Sequence, residues 1–483
     1  MAFRRGLADP TDLNALREAL GDADPEGRLA PLGMRRIEVG SEVLELLVQC
    51  VHELVGGGGT RGSPRVLLVG DATPIRRSGE DLKARVEQML RARFGGVERV
   101  VVGAHHDQLH ADEEALAEAE AAVADADCVV VVGSGTITDI CKVATHRAGG
   151  ASLVVVQTAA SVDGFSDDVS VILRSGVKRT IPSRWPDVLL ADLPTIVEAP
   201  ASMTAAGYGD AISLYTAPAD WYLASLVGQD DSYHPAPVEM VVEGGSDLIG
   251  AAAGVGRLEP GATEGLARLL ALRGIAIGVS GGTAILPGAE HVMSHVLDMH
   301  AGQRGLPLGV HGAQVGVATV IVAAVWEALF DDLDPSTVDV DACFPEPEAM
   351  EPVVRGAFSG LDPTGAVGGE CWSDYAKKLG RWRSNRHRFE SFLENWPRHR
   401  AELAELVAAP EHLGEALDLA GAPARFGDLA PPVAPETARW ALLNCHLMRD
   451  RFNVVDLLYF LGWWNDAFID RLLERVRPVG GGL

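Results

Sequence analysis

Residues 128–156 read CVVVVGSGTITDICKVATHRAGGASLVVV, and the fold is decided here. An apolar run from Cys128 ends at Gly133-Ser134-Gly135-Thr136, after which Ile137, Ile140, Cys141 and Ala144 recur at helical spacing. The pattern predicts a strand, a tight glycine turn and the start of a helix. Gly133 and Gly135 let the backbone approach an anion, while the helix's first amides and positive dipole end face it. A dinucleotide pyrophosphate fits such a cradle. The spacing is not G-x-G-x-x-G, and a strand-glycine-helix turn without phosphate is the plain alternative.

Working outward, strands are expected at 65–69, 97–102, 128–132 and 153–156, separated by helices at 79–94, 112–124 and 136–147. Near-continuous, β-branched strands alternating with helices indicate an α/β parallel sheet covered on both faces. Nucleotides bind at the carboxyl ends of such strands. Asp71, just past a strand end, suits an adenosine ribose and would repel a 2′-phosphate, favouring NAD(H); it also suits an ordinary turn. Before this sheet, residues 1–34 read as a polar extension, and 41–54 as a helix. After it come a hairpin at 168–173 and 177–181, turning through Arg174-Ser175-Gly176, and a buried strand at 188–191. From about residue 194 only helices are expected, so the domains divide as 1–34, 35–193 and 194–483.

With 483 residues, 47% of them hydrophobic, the chain can bury large cores. Its net charge of -26 opposes duplex nucleic acid and anionic membrane as partners. Cys50, Cys128, Cys141, Cys343, Cys371 and Cys445 include no C-x-x-C pair, which suits reduced thiols in a cytoplasm. The start of the chain lacks a signal-peptide core, and the longest apolar run, 315–326, reads as a buried helix.

In the helical half, Asp210 follows Tyr208-Gly209, His291 and His295 stand one turn apart, and His311 opens an apolar helix. Residues i and i+4 share a face, so two imidazoles and one carboxylate can build a divalent site with open positions. Each is also an ordinary core or surface residue by itself. Glu290-His291 is not H-E-x-x-H, so a zinc-protease site fails on spacing. His300 is a weaker ligand candidate, and His105, His106 and His110 are expected on a surface loop.

Several stretches in order resemble the glycerol-1-phosphate dehydrogenases, especially the bacterial branch, within the dehydroquinate synthase-like and iron-containing alcohol dehydrogenase group. They are GSGTITDICK from Gly133, TAASVDGFS from Thr158, MTAAGYGD from Met203, GAEHVMSH from Gly288, HGAQVGV from His311 and MRDRFNVVDLLYFLG from Met448. The resemblance implies a Rossmann-like domain for NAD(H) or NADP(H), a helical metal domain, and catalysis between them. It places cofactor contacts at Gly133, Ser134, Gly135, Thr136, Ile137, Thr158, Ala159, Ala160 and Ser161. It makes Asp163 a substrate contact, Asp210, His291 and His311 the ligands of one Zn, Ni or Fe ion, and His295 the substrate-contacting, proton-passing histidine. A homodimer or higher homo-oligomer acting on a small-molecule substrate is implied as well.

Three positions depart from the family. Asp167 stands where a cofactor-contacting serine is usual, Thr283-Ala284-Ile285-Leu286-Pro287 replaces a segment with an arginine, and Ala313 replaces a glutamate. Losing a guanidinium and gaining a carboxylate weakens anion recognition. The leading expectation is reduction of dihydroxyacetone phosphate to sn-glycerol 1-phosphate. A less anionic ketone or polyol seated by Ile285 and Leu286, a sugar-phosphate cyclase and a non-catalytic cofactor binder are the alternatives. Lys142, Arg174, Lys178 and Arg179 are the candidates to replace the lost charge.

Overall fold

The computed structural model describes residues 6–56, 63–105, 109–174 and 177–483, without the side chains of 174, 177 and 178. Among the described residues there are ten strands: β1 (Arg36–Gly40), β2 (Arg65–Gly70), β3 (Arg76–Arg77), β4 (Glu80–Asp81), β5 (Gly96–Val101), β6 (Cys128–Gly133), β7 (Ser152–Gln157), β8 (Val169–Arg174), β9 (Val177–Pro182) and β10 (Val188–Asp192). Six of them form a sheet in the order β1-β10-β7-β6-β2-β5, every neighbouring pair parallel. In β6 every residue is buried, as expected of a strand covered on both faces. One face carries Val66, Leu68, Val130, Val132, Val154, Val156 and Leu190, packed in a core with Leu47, Val51, Val86 and Leu90 from two helices.

Two compact units are formed, Met1–Ala211 with Ala236–Gly282, and Ile212–Pro235 with Thr283–Leu483. The change from alternating elements to helices near residue 194 is thus a change of element type. The helices Ala201–Ala211 and Pro260–Val279 remain in the sheet-bearing unit. Among the described residues no strand follows Asp192.

Three expectations are corrected. The first 34 residues are not simply a polar extension: Leu13–Ala23 is a helix that buries Leu13, Leu16 and Leu20, with Asp12 accepting from Ala15 N at 2.9 Å as its cap. Arg17 donates to the carbonyl of Met34, and Asp9 pairs with Arg268. Residues 36–40 form an edge strand whose short alternation, with only Ile37 and Val39 apolar, gives little signal. The helix expected from residue 79 begins at Leu82, because Ser78 and Gly79 turn at positive φ and Asp81 caps the helix through Ala84 N. The turn of the β8–β9 hairpin, Ser175-Gly176, lies outside the described residues.

The second unit is built on the 22-residue helix His311–Asp332. It is long and apolar enough to cross a membrane by length and composition, yet 83% of that apolar window is buried inside the protein. Trp382 forms an aromatic centre in the same unit, stacked at 4.7 Å on Phe460 and 5.1 Å on Phe344, its indole N–H donating to Cys343 O. Below it, Lys378 and Asp456 make a fully buried ion pair at 2.6 Å. All six cysteines are buried.

Candidate active site

In the sheet-bearing unit the chain leaves β2 to build β5 on one side, and leaves β6 to build β7 and then β10 on the other. Since β2 and β6 are neighbours, a crevice opens beyond their carboxyl ends, the place where doubly wound sheets bind ligands. Gly70-Asp71 and Gly133-Ser134 stand there. The helix Gly135–Ala148 starts at once, and the Ser134 side chain makes no cap hydrogen bond. Its first-turn amides are therefore left without a side-chain acceptor. Ser134, Gly135 and Thr136 are half-buried. Thr158 N donates to Gly133 O at 3.3 Å, which sets buried Thr158, Ala159, Ala160 and Ser161 beside the turn. A Cβ on Gly135 would lie 2.8 Å from Val162 Cγ2, so only glycine lets the two segments meet. The donor set and the open helix start fit a pyrophosphate.

Asp71 is less available than its position suggests. Lys83, itself buried, donates to Asp71 Oδ1 at 2.7 Å and to the carbonyls of Asp71 and Thr73, while Thr73 Oγ1 donates to Asp71 Oδ2. An ammonium therefore stands beside the carboxylate and offsets its charge.

Lys142 is neither solvated nor turned to a cofactor. Fully buried, it bonds the Asp167 carboxylate, Gly164 O at 3.0 Å and Val169 O at 2.5 Å, with Asp139 Oδ1 at 3.7 Å. Burial pushes the Asp167 carboxyl up to about 7, against the pull of Lys142. Asp167, buried under its loop, adds no bare charge to a cleft, and Lys142 is already engaged. The same loop carries Asp163. A guanidinium from the helix Pro260–Val279 holds it: Arg273, fully buried, lies 3.2 Å from Asp163 Oδ2 and 3.4 Å from Asp210 Oδ1. Two expected site carboxylates thus share one arginine that the sequence reading passed over.

In the other unit, the histidines come together. His291 lies in the first turn of the helix Ala289–Gln303 and His311 opens the next; their ring centroids are 5.3 Å apart, and His295 is 5.6 Å from His311. Each presumptive ligand has its Nδ1 engaged. His291 Nδ1 lies 2.9 Å from Glu290 Oε1, an atom that also accepts from Gly288 N, while Glu290 Oε2 accepts from Thr216 Oγ1. That oxygen is an acceptor, as its bond from Gly288 N shows, so the ring carries its proton on Nδ1. His311 Nδ1 lies 3.0 Å from Ser294 Oγ, whose single proton goes to Gln314 Oε1 at 2.7 Å. The serine oxygen therefore accepts from His311 Nδ1. Both rings are thus hydrogen-bonded through Nδ1, the arrangement in which an imidazole binds a metal through Nε2. The donor set fits a divalent ion. Asp220 supports the start of this helix, accepting from Ala289 N and Val454 N at 2.8 Å each; burial, then the charge of Glu290, pushes its carboxyl well above the usual range.

Residues 50–200 match the family described as iron-containing alcohol dehydrogenase. A glycerol-1-phosphate dehydrogenase (NAD(P)+) of Haloquadratum walsbyi is 30% identical over 321 residues, spanning 64% of this chain and 82% of that protein. Its counterpart from Halalkalibacterium halodurans is 29% identical over 296 residues, spanning 61% and 71%. The chain belongs to the glycerol-1-phosphate dehydrogenase family. Its fold is that of the wider iron-containing alcohol dehydrogenase group: the glycerol dehydrogenase structure from Schizosaccharomyces pombe superposes with a TM-score of 0.55 at 14% identity, covering 93% of each chain. Family membership makes this an NAD(P)-linked, metal-dependent oxidoreductase.

Other expected positions of this family member fall away from the site. His105 and His110 are exposed, and His105 faces Glu114 at 3.3 Å; His106 is outside the described residues. His300 packs on Trp440, with ring centroids at 5.6 Å. Ile285 and Leu286 are buried to 0% and 1% exposure, so neither is open to line a substrate pocket. Ala313 is buried in the first turn after His311. The side chains of Arg174 and Lys178 are not described.

Proposed function

We propose that this enzyme interconverts dihydroxyacetone phosphate and sn-glycerol 1-phosphate with NAD(H) or NADP(H), using one divalent ion held by Asp210, His291 and His311. The observation that carries the reading is the pair of imidazoles, His291 and His311, fixed through Nδ1 with ring centroids 5.3 Å apart. The substrate is supported by the relatives, which are named for it. When bound, the ion supplies Lewis-acid charge for a carbonyl oxygen and the nicotinamide supplies the hydride. The residues do the rest. Gly133 to Ile137 and residues 158–161 seat the cofactor's pyrophosphate, Asp163, steadied by Arg273, accepts from a substrate hydroxyl, and His295 passes the proton that the product hydroxyl gains. The less anionic alternative loses two of its supports, because Asp167 is paired and buried and Ile285 and Leu286 are closed off.

A substrate panel with metal-reconstituted protein tests this. Sustained oxidation of reduced nicotinamide with dihydroxyacetone phosphate is the expected result; a cyclase shows no net cofactor turnover. Active wild-type protein without bound metal would end the three-ligand assignment.

A further inference from the structure

The segment 283–287, where the family's arginine is replaced by Ala284, is met by another arginine from far along the chain. Arg451, in the stretch MRDRFNVV, donates from Nη1 to Pro287 O at 3.0 Å and from Nη2 to Thr283 Oγ1 at 2.6 Å. Pro287 lies four residues before His291, just ahead of the helix Ala289–Gln303 that carries the histidines.

Arg451 is half-buried, and no carboxylate of the described residues pairs with it. Its neighbour Asp450 turns instead toward Arg381, at 3.9 Å. A guanidinium presents five N–H donors, and these contacts use two. Burial and the charge of Arg449 lower the pKa of the group, against the charges of Asp450, Asp230 and Glu290. A cation drawn out of water without a counter-ion is costly unless an anion completes it. The surrounding polar groups are neutral, a carbonyl and a hydroxyl, so they orient the fork without discharging it. Planar paired donors suit a phosphate, which a lone ammonium would hold only as a point charge.

We infer that Arg451 is the phosphate-recognising residue of this enzyme, supplying from the C-terminal stretch the guanidinium absent at Ala284. The inference rests on the proposed phosphorylated substrate and specifies how this chain would select it. Its backbone and hydroxyl contacts position the fork, and the substrate's phosphate is the missing counter-ion.

Steady-state kinetics on metal-loaded wild type, Arg451→Ala, Arg451→Lys and Thr283→Val tests it, with dihydroxyacetone phosphate and dihydroxyacetone side by side and inorganic phosphate as competitor. Arg451→Ala should raise KM for the phosphorylated ketone about 10- to 100-fold. It should leave KM for reduced nicotinamide and kcat/KM for dihydroxyacetone near wild type, and abolish inhibition by inorganic phosphate. Arg451→Lys should recover part of the loss. Thr283→Val, which keeps the charge and removes one tether, should be milder. Equal losses for both ketones together with a lowered Tm would reveal a purely structural arginine and overturn the inference, as would unchanged KM in Arg451→Ala. A wild type without preference for the phosphorylated ketone would overturn the proposed function separately; phosphate inhibition, kept or lost in Arg451→Ala, would still decide the role of the arginine.

Discussion

Tautomer selection is where single residues act most directly. Glu290 and Ser294 each occupy an imidazole Nδ1 and so direct metal binding to the opposite nitrogen, which means their removal acts on metal affinity without touching a ligand. Glu290→Ala or Ser294→Ala should weaken the ion about 10- to 100-fold, measured by competition with a chromogenic chelator. Unchanged affinity in both would show that the hydrogen bonds do not prepare the ligands. The i, i+4 spacing pointed to His291 and His295 on one face, whereas His311 stood out only as the opening of an apolar helix. Glu290 was visible only as a zinc-protease motif in the wrong order, and Ser294 not at all, because its partners are 17 and 20 residues further on. Arg273 escaped for a related reason. An arginine in an apolar helix reads as an exception until Asp163 and Asp210 are found at its tip.

At the scale of elements, the helix Gly135–Ala148 does two jobs from opposite ends. Its start offers uncapped amides to an anion, and Lys142 on its buried side ties down the loop that carries Asp163. Ser134→Asp would place a carboxylate at the helix start as a permanent occupant. Cofactor KM should then rise about tenfold or more while metal content stays unchanged, since an ionic competitor of ~1.4 kcal/mol already gives that factor. The Lys142–Asp167 tie has its own signature. Asp167 titrates near 7 folded and near about 3.9 unfolded, so folding takes up a proton between those values. Its contribution is complete on the acid side and is lost as pH rises through about 7. Thermal unfolding of wild type should therefore lose ground to Asp167→Asn from pH 5 to pH 8; parallel curves would refute the shift. The sequence showed that Asp167 departs from the family but not that it faces inward. Side-chain direction in an irregular loop has no period from which to read it.

For the whole molecule, the parallel sheet was readable because its strands are nearly continuous Val, Leu and Ile between amphipathic helices. The division into compact units was not, since it depends on which helices the sheet unit retains. Helices Ala201–Ala211 and Pro260–Val279 look, as sequence, like any others in the helical run. An ion bound only by the native state stabilises by mass action, about 4 kcal/mol at a thousandfold excess over Kd. Adding the metal to chelator-treated wild type should therefore raise Tm. Asp210→Ala, with both histidines intact, should lose that shift while keeping residual binding. If Asp210→Ala responds to metal as wild type does, the carboxylate is not a ligand and Arg273 alone accounts for its place in the fold.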